Sequence, residues 1–191
     1  VLHGRPNVNP MIREKVVRAA EKLGYQPPVP PKSADCRQAA ILIPQWTDGY
    51  FNRQIVSGIR KALRYIADPA FILTEQPLRT MTMQELLRAM DEQIRSGVDG
   101  LIIRAENTPE VRAAIEQAVQ QGVTVITYDA DVPDSGRLCY VGQDLVRAGA
   151  IAAGVMARLI RPPEHVLIVS GNLRMESHKG RVDGFCRRLL E

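Results

Sequence analysis

From about residue 39 onward the apolar positions alternate between two periods. Ala39 to Ile43 is a continuous apolar run of strand length, after which Ile55, Ile59, Ala62 and Ile66 recur at helical spacing. The alternation then repeats. Strands are predicted at Phe71 to Leu73, Gly100 to Ile103, Val123 to Tyr128, Leu138 to Val141 and His165 to Val169. Between them, Met83, Leu86, Leu87, Met90 and Ile94 mark one helix, and Val111, Ile115, Ala118 and Val119 mark another. Thr108-Pro109 is a helix start, and Gly97 and Gly122 are helix stops. A further helix is predicted over 144–160, and Val182, Phe185 and Leu189 mark a last one. Strands rich in Ile and Val, each followed by an amphipathic helix, imply right-handed crossovers and a parallel sheet covered on both faces. The predicted class is doubly wound α/β. Ligands of such sheets bind beyond the carboxyl ends of the strands, so the segments to inspect are 45–50, 129–135 and 170–177.

The first 35 residues follow another pattern. Asn9-Pro10 suits a helix start, and Ile12, Val16, Ala19, Ala20 and Leu23 form one apolar stripe that Gly24 and Pro27 close. A single helix of that length cannot bury its stripe alone. Pro27-Pro28-Val29-Pro30-Pro31, followed by Lys32-Ser33-Ala34-Asp35, is extended and semi-rigid, and reads as a linker.

Charge sharpens this division. The formal net charge is +4, and residues 1–32 carry Arg5, Arg13, Lys15, Arg18, Lys22 and Lys32 against Glu14 and Glu21, which accounts for all of it. The excess suits either contact with a polyanion or a solvated helix face. Composition is ordinary for a globular protein, at 45% hydrophobic and 24% charged. No apolar run reaches the ~20 residues of a membrane span, and no secretory signal opens the chain. The opening residues lack a starting Met and read as the interior of a longer protein. Cys36, Cys139 and Cys186 have no metal-ligand spacing and do not cluster with His3, His165 or His178, so neither a metal site nor a disulfide is expected.

Four motifs carry chemistry. The first runs from Val1-Leu2-His3-Gly4-Arg5-Pro6-Asn7-Val8-Asn9-Pro10 to Leu23-Gly24-Tyr25-Gln26-Pro27. The second is Thr47-Asp48-Gly49-Tyr50-Phe51 after the first sheet strand. The third is Tyr128-Asp129-Ala130-Asp131-Val132-Pro133-Asp134-Ser135, followed by Tyr140-Val141-Gly142-Gln143-Asp144. The fourth joins Ser170-Gly171-Asn172 to His178, Arg181, Gly184 and Phe185. An aspartate at the carboxyl end of a strand can accept two sugar hydroxyls. Asp131 could equally organise its own turn.

Together these stretches resemble the LacI/GalR family of transcription regulators, whose sensor is built like a ribose-type periplasmic binding protein. The first motif is similar to the end of the family's DNA-binding headpiece: the end of the recognition helix, a loop, the third helix and a closing L-G-Y-x-P. The resemblance implies phosphate contacts at His3, Asn7 and Asn9, which fix register rather than read bases. It also implies a monosaccharide-like effector held by Tyr50 or Phe51, Asp129, Asp131 and Arg181, with His178 flanking the cleft. It implies an operator-binding homodimer in the cytoplasm. The segments implied are a headpiece remnant over 1–26, a hinge over 27–37, a first sensor lobe over 38–162 and the start of a second lobe over 163–191. The family's hinge helix with its minor-groove leucine is not expected here, because prolines occupy 27–31 and no Leu occurs between Gln26 and Ile41.

Enzyme motifs are missing. There is no G-x-G-x-x-G after the first strand, no phosphate-binding G-x-x-x-x-G-K, no G-x-S-x-G and no H-E-x-x-H, so neither an enzyme nor a bound cofactor is expected. The alternative to a regulator is a secreted sugar-binding protein of a transporter. With a second lobe only begun, an exposed apolar face is expected near Val166 to Val169 and Phe185 to Leu190.

Overall fold

The computed structural model describes residue 19 and residues 36–44, 50–65, 71–79, 82–161 and 164–190, with the side chains of 44, 50–52 and 63–65 outside the description. The chain divides into two units, Val1–Asp35 and Cys36–Glu191. The headpiece-like motif with His3, Asn7 and Asn9, and the proline linker, lie outside the described residues.

The second unit contains a five-stranded parallel sheet in the order β2-β1-β3-β4-β5. Its strands are β1 (Arg37–Pro44), β2 (Phe71–Leu78), β3 (Gly100–Ile103), β4 (Thr124–Tyr128) and β5 (Cys139–Val141). The helices are α1 (Tyr50–Tyr65), α2 (Met83–Arg95), α3 (Pro109–Gln120), α4 (Leu145–Met156) and α5 (Glu176–Leu189). This is the doubly wound α/β architecture expected from the alternating periods.

Side chains alternate across each strand, which separates two faces. On one face Ala40, Leu42, Leu101, Ile103 and Val125 are buried against Leu86, Ala89 and Met90 of α2 and Val111, Ile115 and Ala118 of α3. This is the main core. The opposite face carries Ile41, Leu73, Ile102 and Ile126, which border a cavity together with Ile55 and Ile59 of α1. The Arg60 guanidinium on α1 donates two hydrogen bonds, 2.9 and 2.8 Å, to the Glu75 carboxylate on β2.

Helix ends follow the local chemistry. The Thr108 hydroxyl accepts from the Val111 N–H at 3.3 Å, and Pro109 occupies the first turn of α3, where its missing N–H costs nothing. After α2 and α3 the chain reverses at Gly97 (φ 84°) and Gly122 (φ 82°), conformations that a Cβ would disfavour.

Two expectations need correction. Strand β2 extends five residues past Leu73, pairing along its whole length from Arg37↔Phe71 to Pro44↔Leu78. Its polar end, with Glu75, Gln76 and Pro77, is tolerated because β2 is an edge strand and Pro77 can sit where no second neighbour needs its N–H. The strand expected at His165 to Val169 is absent: these residues are irregular. A strand exists through its ladder, and no described segment pairs with this one. As a result Leu167 and Val169 are each 87% exposed, which matches the expected apolar face there. Leu190 is exposed too, whereas Phe185 is half-buried against the α4–α5 seam.

Candidate ligand-binding cleft

A cavity of about 490 Å3 lies over the Ile41–Ile102–Ile126 face and opens toward the carboxyl end of β4. Aliphatic side chains form its body. Tyr128, Asp129, Gln143 and Arg181 supply polar groups along its border.

Asp129 follows β4 directly and adopts a left-handed backbone (φ 60°), which aspartate tolerates better than most residues. The neighbours hold it there. Its N–H donates to the Val141 carbonyl at 3.1 Å, and its carbonyl accepts from the Tyr140 hydroxyl at 3.1 Å. Tyr140 can fold back this way because Gly142 has no side chain; a Cβ there would lie 2.0 Å from the hydroxyl. The Asp129 carboxylate is 13% exposed and forms an ion pair with Arg104, Nε to Oδ2 2.7 Å, rather than an aligned hydrogen bond. Tyr128 donates to the Leu42 carbonyl at 3.2 Å, and burial pushes its hydroxyl pKa up to about 12. It stays a neutral donor at any physiological pH.

Across the cavity, Arg181 stands on α5. Its Nη2 donates to Gln143 Oε1 at 2.8 Å and its Nη1 donates to the Ser177 carbonyl. Gln143 thus links the end of the sheet to the helix.

The expected site residues separate into groups. Asp129 and Arg181 come together on the cavity. Asp131 does not: its carboxylate accepts from Thr127 Oγ1 at 2.9 Å, the Val132 N–H at 2.8 Å and Arg137 Nη2 at 2.6 Å. Burial works to raise its pKa, but those three donors outweigh burial and hold the carboxyl below the usual carboxylate range. This aspartate organises its turn. His178 borders a different groove, between α4, α5 and residues 166–171, where its imidazole would lie 3.0 Å from a Cβ on Gly171. Tyr50 and Phe51 open α1, and their side chains lie outside the described residues. Arg104 and Gln143 are the residues that sequence reasoning missed. Arg104 directly follows β3, so the rule that ligands gather at carboxyl strand ends was its available signal.

Tyr128, Asp129, Gln143 and Arg181 bring a phenol, a carboxylate, an amide and a guanidinium to the border of an otherwise aliphatic cavity, donors and acceptors of the kind that hydroxyl groups pair with. Among the described residues no group of three or more His, Cys, Asp or Glu side chains could hold a metal ion, and no helix is long and apolar enough to cross a membrane.

A parallel sheet of this order, with a mainly aliphatic cleft bordered by polar groups near the carboxyl end of β4, is the architecture of the periplasmic-binding-protein-like fold. The family model for the periplasmic binding protein domain matches residues 39–191, and the chain belongs to that family. Among curated proteins, catabolite control protein A of Priestia megaterium is 24% identical over 196 residues, covering 100% of this chain and 56% of that one. Among solved structures, GanP, a glucose-galactose binding protein from Geobacillus stearothermophilus, superposes with a TM-score of 0.71 at 26% identity, covering 81% of this chain and 54% of that one. A solute-binding protein from Burkholderia graminis in complex with D-arabinose gives 0.66 at 27% identity, covering 83% and 53%. The chain spans about half the length of the relatives it matches.

Proposed function

We propose that this chain is part of a sugar-responsive transcription regulator of the LacI type. In this reading an effector sits between two α/β lobes, and a basic N-terminal segment contacts operator DNA. The observation that carries it is one of coverage. The match to catabolite control protein A takes in the whole chain, including the positively charged residues ahead of the domain, whereas the binding-domain match starts only at residue 39. The charge excess over 1–32 supports phosphate contact there, with His3, Asn7 and Asn9 as the contact residues. Asp129 and Arg181 are the proposed effector contacts, the first accepting sugar hydroxyls and the second donating to the ring or its substituents. Sugar binding would favour one lobe arrangement and thereby change operator affinity of a cytoplasmic homodimer. The site binds rather than catalyses.

The Burkholderia graminis relative, an ABC transporter solute-binding protein in complex with D-arabinose, favours a second reading, a sugar-binding protein of a transporter. Two measurements on the intact protein separate these. Thermal melting with D-glucose, D-galactose and D-arabinose should show stabilisation by at least one sugar, lost in Asp129→Ala. Selection from random duplex DNA should enrich a pseudo-palindromic site, with binding that weakens steeply as salt rises. Sugar stabilisation without any enriched DNA would establish the transporter reading, and an Asp129→Ala variant with unchanged stabilisation would remove Asp129 from the site.

A further inference from the structure

The loop between β3 and α3 meets the start of α5 through a set of polar contacts that no cavity-lining residue shares. The Asn107 N–H donates to the Arg174 carbonyl at 2.9 Å, and Asn107 Nδ2 donates to Glu176 Oε1 at 2.9 Å. Glu106 holds the same segment from the other side. Its Oε1 accepts from Asn172 Nδ2 at 2.5 Å, and its Oε2 lies 3.0 Å from Arg174 Nε. Met175, enclosed by these pairs, is buried. Arg181 lies five residues beyond Glu176, so the loop of one sheet strand sets where the first turns of α5 sit relative to Asp129.

We infer that Glu106 and Asn107 are positioning residues for the ligand: a latch that holds the start of α5, and through it Arg181, across the cleft from Asp129. The inference rests on the cleft being the ligand site. It goes beyond that reading because it assigns ligand affinity to residues that do not touch the ligand. The geometry has the features a latch requires. Its contacts are polar and in part solvent-accessible, Arg174 being 72% exposed, so they can break and reform. Glu106 and Asn107 belong to a short loop anchored by β3, a strand with both neighbours in place, and so move little themselves. The α4–α5 pair, by contrast, packs mainly on itself.

The test uses the intact protein and the pair Glu106→Gln with Asn107→Ala. Amide hydrogen exchange without sugar should speed up at the first turn of α5, while the β3 and β4 amides keep their protection. Whichever of D-glucose, D-galactose or D-arabinose binds the wild type should bind this variant about tenfold more weakly. The exchanged pair Glu106→Arg with Arg174→Glu should recover most of that affinity, whereas either exchange alone should not. Unchanged exchange at α5, or single and double exchanges of equal affinity, would overturn the latch. If none of the three sugars binds the wild type, the sugar reading falls and the exchange measurement still decides the latch.

Discussion

Helices α4 and α5 cross at Gly149, Gly180 and Gly184, and the crossing sets up a stringent prediction. A Cβ added at Gly184 would lie 2.0 Å from the Val146 carbonyl oxygen, 2.8 Å from its carbon and 2.9 Å from its Cα. A Cβ at Gly149 would meet the Arg181 carbonyl oxygen at 2.0 Å and the Phe185 nitrogen at 2.8 Å. These are backbone atoms of the partner helix, so no rotamer change relieves the clash; the two helices must move apart. Overpacking of this kind costs about 1–3 kcal/mol. Against it, replacing glycine by alanine inside a helix gains roughly 1 kcal/mol. With backbone on the receiving side the cost lies at the upper end, and Gly184→Ala should lose about 2 kcal/mol net. For a unit of this size that lowers the melting temperature by roughly 4–8 °C. Gly154 is the internal control. It lies on α4 and a Cβ added there would meet nothing within 4 Å, so Gly154→Ala should show only the propensity gain and melt a few degrees higher. Calorimetry on the two variants checks both signs. A Gly184→Ala protein that melts as high as Gly154→Ala would refute the close crossing.

Three further outcomes are expected. The Asp131 carboxyl is held below its ordinary value in the folded state, so its contribution is fully present above the unfolded value near about 3.9. That contribution is lost as pH falls through the lower folded value; Asp131→Asn should therefore flatten the acid side of the stability curve, and parallel curves for the two proteins below about pH 4 would contradict this. Thr108→Ala removes the cap on the Val111 N–H and should cost about 1 kcal/mol by denaturant titration, with Thr108→Ser recovering most of it. Leu167 and Val169 expose apolar surface in the 191-residue chain, so Leu167→Glu with Val169→Glu should lower both its dye-binding fluorescence and its self-association in light scattering; no change in either would count against that surface.

The fold was legible wherever apolar residues kept a period. Ala40, Leu42, Leu101, Ile103 and Val125 fall on one face because strand side chains alternate, and the helices that cover them show their own stripes. Legibility failed where pairing rather than composition decides. The outer half of β2 is polar, and only its hydrogen bonds to β1 make it a strand. Residues 165–169 have strand composition and no described partner, and they stay irregular. Propensity is therefore a statement about what a segment can become once a neighbour is present.

The cleft shows the same dependence on neighbours at the level of single residues. Asp129 and Asp131 are identical in type, two positions apart, and both plausible as sugar ligands from the sequence. The sheet separates them. Ile103 pairs with Thr127, so the next residues of β3 and β4 run side by side and bring Arg104 level with the end of β4, within ion-pair distance of Asp129. The left-handed backbone at Asp129 turns the chain there, and Asp131 falls back beneath the turn, where Thr127, Val132 and Arg137 use its oxygens. One carboxylate is left on the cavity with the Arg104 cation beside it; the other is enclosed by donors from its own loop. Any group that reaches Asp129 from the cavity therefore meets a carboxylate already paired with Arg104.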